Sequence, residues 1–326
     1  METRDNLERT TAGRLSARLQ TLIGARRNVA DFAALRDEGA RLLGPDHEVS
    51  LEIECTLETL RDRNRTAADS LVVWEGLRER ARASLAPLAA TAIAIRGRHL
   101  RQLRACGQPD DLDVLVDLCR AEVTRRATDP DLLGAARVDL AWVLRDRSWF
   151  GASHATELDP DLAEATALIE EEVLRAGPDQ VATHAARLVQ AEVLLAASRA
   201  DPGAPARALE VAETLVRLDN AEDTGRGAAA FDQLPHPHVL LAEALLHNGR
   251  TREAGRVARL AYAMHAGSGV FDPARPLLAL ARSEAGATPA AAGETARAAL
   301  RQRLATFPAD SHYVAEARRL VDELPG

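Results

Sequence analysis

Apolar residues recur along nearly the whole chain at spacings of three and four, so that one face of each segment is hydrophobic and the other charged. Short breaks containing Pro, Gly, Asn or Asp interrupt this pattern and mark helix ends. The reading is a helical hairpin over 5–43 and pairs over 46–85, 88–127, 131–176, 179–218 and 236–266. A final set covers 273–324. No run of alternating or β-branched residues suggests a strand.

The helices repeat in register. A phrase Leu-Arg-x-x-small recurs at Leu60-Arg61 to Asn64, Leu103-Arg104 to Gly107 and Leu144-Arg145 to Ser148, and degrades at Leu194 to Ser198 and Leu245-Leu246 to Gly249. With Gly286 these turn residues are separated by 43, 41, 50, 51 and 37 positions. Prolines suited to helix starts, at Pro45, Pro87, Pro130, Pro178, Pro235 and Pro273, run in step. A hairpin of this length cannot bury its apolar face alone, so successive hairpins must stack and share a core. The two longest intervals mark insertions near 148–159 and 218–234, both polar and Gly-containing.

Composition narrows the picture. Of 326 residues 46% are hydrophobic but only 3% aromatic, which requires a core of small and aliphatic side chains in closely packed helices. The chain has no lysine, its 41 cationic residues all being Arg, which excludes Walker-type phosphate loops and Schiff-base chemistry. Arg in place of Lys, with abundant Ala, points to a GC-rich genome. A net charge of −8 argues against a nucleic-acid partner. The polar amino terminus and the absence of an ~18-residue apolar run give the expectation of a cytoplasmic protein without a membrane partner. Cys55, Cys106 and Cys119 have no paired ligand spacing and read as free thiols inside helices.

The stretch Leu42–Arg65 (LLGPDHEVSLEIECTLETLRDRNR) resembles the longer tetratricopeptide repeats of kinesin light chains and of many bacterial signalling proteins. His238–Ala261 (HVLLAEALLHNGRTREAGRVARLA) is similar to a standard tetratricopeptide repeat, with Ala242, Gly249, Ala254 and Ala261 at its small-residue positions. The resemblance covers about three hairpins, and Asn64, Ser148 and Asp69 depart from the family pattern; HEAT-like repeats of similar length are the alternative. It implies an all-α, right-handed α-α superhelix, a solenoid of antiparallel hairpins. An N-terminal cap over 1–44 would lead into an array over 45–272. Residues 273–326 would then either cap the array or offer an apolar surface to a second copy as a homodimer.

In such arrays the first helix of each hairpin lines a concave groove, which puts Arg61, Arg104 and Arg145 in one column with Arg101 beside it. A guanidinium column suits a carboxylate-bearing protein or peptide; the simpler reading is that these arginines pair with neighbouring Asp and Glu. Glu243 and His247 fall on the groove face of the fifth pair, with His236. A His-Glu-His set could hold a metal, but its spacing matches no zinc helix motif and no metal or other cofactor is expected. Trp149 and Phe150 read as aromatic anchors in the first insertion, either exposed for binding or tucked onto the adjoining hairpin. No nucleophile elbow, phosphate loop or close Cys-His pairing is present. The expectation is a non-catalytic scaffold, adaptor or regulatory subunit. The rivals are a regulator responding to a small peptide or metabolite, and an enzyme of unfamiliar type.

Overall fold

The computed structural model describes residues 2–25, 28–107, 111–151, 159–177, 181–221, 237–265 and 272–324. The described residues form helices α1 (Glu2–Gly24), α2 (Val29–Leu43), α3 (Glu48–Arg61), α4 (Ala67–Ser84), α5 (Ala90–Cys106), α6 (Leu112–Arg126), α7 (Pro130–Gly151) and α8 (Pro160–Ala176). They continue with α9 (Val181–Ala197), α10 (Ala204–Ala221), α11 (Pro237–His247), α12 (Thr251–His265), α13 (Arg275–Glu284), α14 (Pro289–Thr306) and α15 (His312–Glu323), and contain no strand.

Local chemistry sets the ends. Asn28, His47, Thr66, Asp159 and Ser311 each accept a backbone N–H of the first turn they precede, and Pro160 stands at the first position of α8. Gly249, at φ +72°, closes α11: its N–H donates to the Leu246 carbonyl and that of Arg250 to Leu245, so two orphan carbonyls are satisfied. Asn64, Gly107, Ser198 and Gly286 also lie at or just beyond helix ends. Ser148 does not. It is 5% exposed within α7, which runs on to Gly151 and carries Trp149 and Phe150 in helix rather than in a loop. The expected turn fails because α7 is buried around this point, with Leu144 and Asp146 also enclosed. Of the two expected insertions, residues 152–158 and 222–234 lie outside the described residues.

Two compact units result, Met1–Cys106 and Gly107–Gly326, and the boundary falls inside the expected third hairpin. In each unit consecutive helices pack together, and the strong contacts between non-consecutive helices run along the odd-numbered row: α1 with α3 and α3 with α5, then α7 with α9, α9 with α11 and α11 with α13. This inner row of odd-numbered helices is consistent with a helical repeat.

In the first unit Leu15, Leu19, Phe32, Leu35, Ile53 and Leu57 form one cluster, and Leu51, Trp74, Leu77, Ala81 and Ile95 the next. Asp62 knits the second. It sits in a 3-10 turn, Asp62–Asn64, and accepts hydrogen bonds from Ser70 Oγ and Trp74 Nε1, each at 2.7 Å. In the second unit alanine makes many of the contacts. Ala242, Ala258 and Ala279, all fully buried, meet where α11, α12 and α13 converge, and Ala254 and Ala261 are equally enclosed. A Cβ at Gly134 would crowd the Glu172 carboxylate and the Arg175 guanidinium on α8, which would have to shift.

The start of α15 returns to the start of the second unit. The backbone N–H of His312, at the start of α15, lies 3.3 Å from the Gly107 carbonyl, and His312 Nδ1 donates to the same oxygen at 3.0 Å. Its Nε2 is 3.9 Å from Asp146 on α7.

Two expectations concern the first unit. Asp62→Ala leaves the Trp74 N–H without its acceptor and should cost about 1–3 kcal/mol in urea unfolding, with Asp62→Asn costing less. His99 on α5 is 4% exposed, and burial, with Arg78 nearby, pushes its imidazole down to about 4 from 6.5. The unfolded chain therefore takes up a proton below pH 6.5 that the folded chain refuses, and stability falls as pH drops through that window. The loss should be roughly 2 kcal/mol between pH 7 and pH 5. His99→Leu should flatten the dependence of the melting temperature on pH; an unchanged slope would refute the assignment.

Candidate functional site

Four helices of the inner row in the second unit carry a charged residue on the inward stripe and a second polar or aromatic residue one or two turns further on. α7 gives Arg145 and Trp149, α9 gives Glu192 and Arg199, α11 gives Glu243 and His247, and α13 gives Arg275 and Arg282. The spacings of four and seven keep each pair on one face, so alternate helices running the same way stack the residues in two tiers. Arg199 itself lies just past the end of α9.

The first tier is a hub of shared ion pairs. Glu192, 3% exposed, receives Arg145 on one carboxylate oxygen and Arg275 on the other. Arg275 turns its other edge to Glu243, with Nε–Oε1 at 2.8 Å and Nη2–Oε2 at 2.6 Å. Arg145 also reaches Asp146 at 2.9 Å. A second cluster adjoins it. Arg303, 1% exposed, holds Asp272 at 2.6 Å, Glu316 at 2.9 Å and the Tyr313 carbonyl at 2.6 Å, while Arg282 takes the other oxygen of Glu316 at 2.9 Å.

Burial opposes the charges of Glu316, Arg275 and Arg303, so their shifts report the pairing. Burial favours the neutral form of Glu316, yet Arg303 and Arg282 hold its carboxyl well below the usual carboxylate range. Burial likewise works against the Arg275 guanidinium, but the Glu243 carboxylate and others nearby raise it above its ordinary value. The hub charges of this unit are thus matched by side chains of the same unit.

The second tier is more open. The Arg199 guanidinium lies 5.2 Å from the Trp149 ring centroid, and Ser198 Oγ is 2.8 Å from His247 Nδ1. His247 is exposed at the residue level, and burial of its ring, followed by the effect of Glu243, Arg282 and Arg199, leaves its imidazole below its ordinary value. The Ser198 hydroxyl also donates to the Leu195 carbonyl at 2.6 Å.

Of the residues singled out in the sequence, Arg145, Glu243, His247 and Trp149 come together here. Phe150 is in the last turn of α7, its side chain outside the described residues. The other three belong to the first unit. Arg61 pairs with Glu58 at 2.7 Å, and Glu58 also takes Arg65. Arg104 is buried and Arg101 half-buried. Arg61 and Arg145 are thus engaged by carboxylates of their own unit, Arg145 by the buried Glu192 rather than on a solvated face.

His236 lies outside the described residues; His238 and His265 are buried. Among the described residues no three His, Cys, Asp or Glu side chains could hold a metal. Cys55, Cys106 and Cys119 are in no disulfide, and burial pushes the Cys55 thiol up to about 11. No helix is long and apolar enough to cross a membrane among the described residues.

Sequence reasoning missed Glu192, Arg275, Arg303 and Glu316. The available signal was a lone carboxylate, Glu192, inside the apolar run LVQAEVLLAA.

No protein-family profile matches the chain, and a search of curated proteins returns no match.

Removing one partner of a buried pair strands the other charge. Glu192→Ala should therefore cost about 3–5 kcal/mol in urea unfolding, well above Arg207→Ala at the exposed Asp201 pair, at about 0–1 kcal/mol.

Proposed function

We propose that the chain is a non-catalytic helical-repeat scaffold, a right-handed superhelix of tetratricopeptide-like hairpins that binds a protein or peptide as an adaptor or regulatory subunit in the cytoplasm. The observation that carries this reading is the second tier. Trp149, Arg199, Ser198 and His247 form a mixed aromatic, cationic and hydrogen-bonding surface, set on a buried hub that locks the helices beneath it. Aromatic and arginine side chains held by packing are the groups that concentrate binding energy in protein interfaces, because little conformational freedom is lost when a partner covers them.

Recognition fits the tier better than catalysis. A serine nucleophile needs a base oriented by a third group. Here the Ser198 hydroxyl is directed to a backbone carbonyl, and the Glu243 carboxylate is occupied on both oxygens by Arg275. The hub arginines are likewise matched internally, so an acidic segment would be met by Arg199 rather than by Arg145.

The test is cross-linking and affinity purification of the tagged chain from its own cells. Wild type is compared with a Trp149→Ala, Arg199→Ala, His247→Ala variant whose melting temperature is unchanged. The expected outcome is a stoichiometric protein partner that the variant fails to retain. A partner held equally by both forms would move the interface elsewhere, and the lack of any partner would remove the scaffold reading.

A further inference from the structure

The two tiers of the second unit match their charges differently. In the hub and the cluster beside it, Arg145, Arg275 and Arg303 hold carboxylates of the same unit, and Arg282 holds Glu316. Arg199 makes no ion pair among the described residues; its contact is with the Trp149 ring, 5.2 Å from the guanidinium carbon to the centroid. A ring face steadies a guanidinium without neutralising it, so the charge is still to be met by an anion. Exposure and the lack of a carboxylate do not by themselves single out Arg199, since Arg319 on α15 shares both. The ring beneath it and the imidazole near it do.

That imidazole is a donor in waiting. The one Ser198 proton goes to the Leu195 carbonyl at 2.6 Å, so Ser198 Oγ can only accept from His247, whose Nδ1, 2.8 Å away, carries a proton. In the neutral ring Nε2 is then left with a lone pair, and a second donor appears there only when the ring is protonated. The charged groups that act on the ring are Glu243 of its own helix, Arg282 of α13 and Arg199 beyond α9. After burial, the two arginines oppose protonation and Glu243 favours it. Glu243 is already held on both oxygens by Arg275, so none of these groups is an uncommitted carboxylate.

We infer that the second tier takes a carboxylate side chain of an acidic partner segment between Arg199 and His247, and that His247 takes up a proton as it does so. An anion at Nε2 stabilises the imidazolium that the two arginines disfavour, and the imidazolium returns a charge-assisted hydrogen bond. Trp149 offers apolar surface for the aliphatic stem of the bound Glu or Asp. The inference deepens the partner-binding reading and rests on it. A partner that instead donated a hydroxyl or amide proton to Nε2 would favour the neutral ring, so the two cases differ in the sign of their pH dependence. In the free chain the ring titrates below its ordinary 6.5, and a bound carboxylate raises it. Affinity for an acidic segment therefore rises as pH falls through that window, and levels off once the free ring is itself protonated.

The full-length chain is titrated with an end-capped ten-residue peptide of alternating Glu and Ser, with Gln-Ser and Lys-Ser peptides as controls. Binding is followed by the NMR signals of the His247 ring and the Trp149 indole. Saturable binding of the Glu-Ser peptide alone is expected, about three- to tenfold tighter at pH 5.5 than at pH 8, with His247 titrating at higher pH in the complex. Arg199→Gln should weaken binding ~10-fold at both pH values, and His247→Gln should flatten the pH dependence. Arg319→Gln should change neither, which separates a defined site from diffuse attraction. Melting temperatures show that the variants are folded; should one not be, the His247 titration in the wild type decides. The proposal is overturned if the Glu-Ser peptide does not saturate, if Arg319→Gln weakens it as much as Arg199→Gln, if affinity falls with falling pH, or if the pH dependence survives in His247→Gln. Each of these outcomes leaves the scaffold reading standing as long as the Trp149, Arg199, His247 triple variant loses its cellular partner; if that partner is retained, the tier itself is not the interface.

Discussion

The inner side of the second unit depends on one buried carboxylate. Glu192 stands on α9 with almost no access to water, and removing its hydration is costly unless both oxygens find ionic partners. Arg145 and Arg275 supply them from α7 and α13, so the hub is satisfied only when all three helices are in register. Aliphatic side chains would fill the same space with far less demand on geometry. The ion pairs therefore act less as a source of stability than as a constraint on which helix faces which. The absence of lysine belongs to the same picture. A guanidinium can bind two carboxylates along different edges, as Arg275 does with Glu192 and Glu243, whereas an ammonium offers a single point of charge.

Much of the helix map was legible because it is written locally. Periodicity, capping side chains and Gly249 fix where helices begin and end within a few residues. The hub was not legible, because its members are related by packing: Arg275 and Glu192 are 83 positions apart. The clearest case is a phrase that occurs twice, Leu-Arg-Asp-Arg at 60–63 and at 144–147. At the first, Asp62 finds Ser70 and Trp74 on the very next helix, and the chain turns to let it. At the second, Asp146 is enclosed beside Arg145 and near His312, which lies on the last helix, and α7 continues through it. Identical local chemistry gives different structure because the partners come from different distances along the chain. The candidate tier was half visible for the same reason. Trp149 and His247 could be picked out one at a time, but Arg199 and Ser198 gain meaning only from their neighbours.

The two units treat charge on their inner rows differently. In the second, the row is crowded with guanidinium groups and carboxylates that answer one another. In the first, Glu48 and Glu52 line an open cleft.

The return of His312 to Gly107 has a consequence for how the chain comes to be folded in the cell. In an open array each hairpin can dock on its predecessor as it leaves the ribosome, because contacts reach only to neighbours. Here the first residue of the second unit waits for one 205 positions downstream. During synthesis α7 must persist with Asp146 and Arg145 lacking their later partners. Through that interval the growing chain presents unmatched charge and apolar surface, the condition in which chaperones engage nascent proteins.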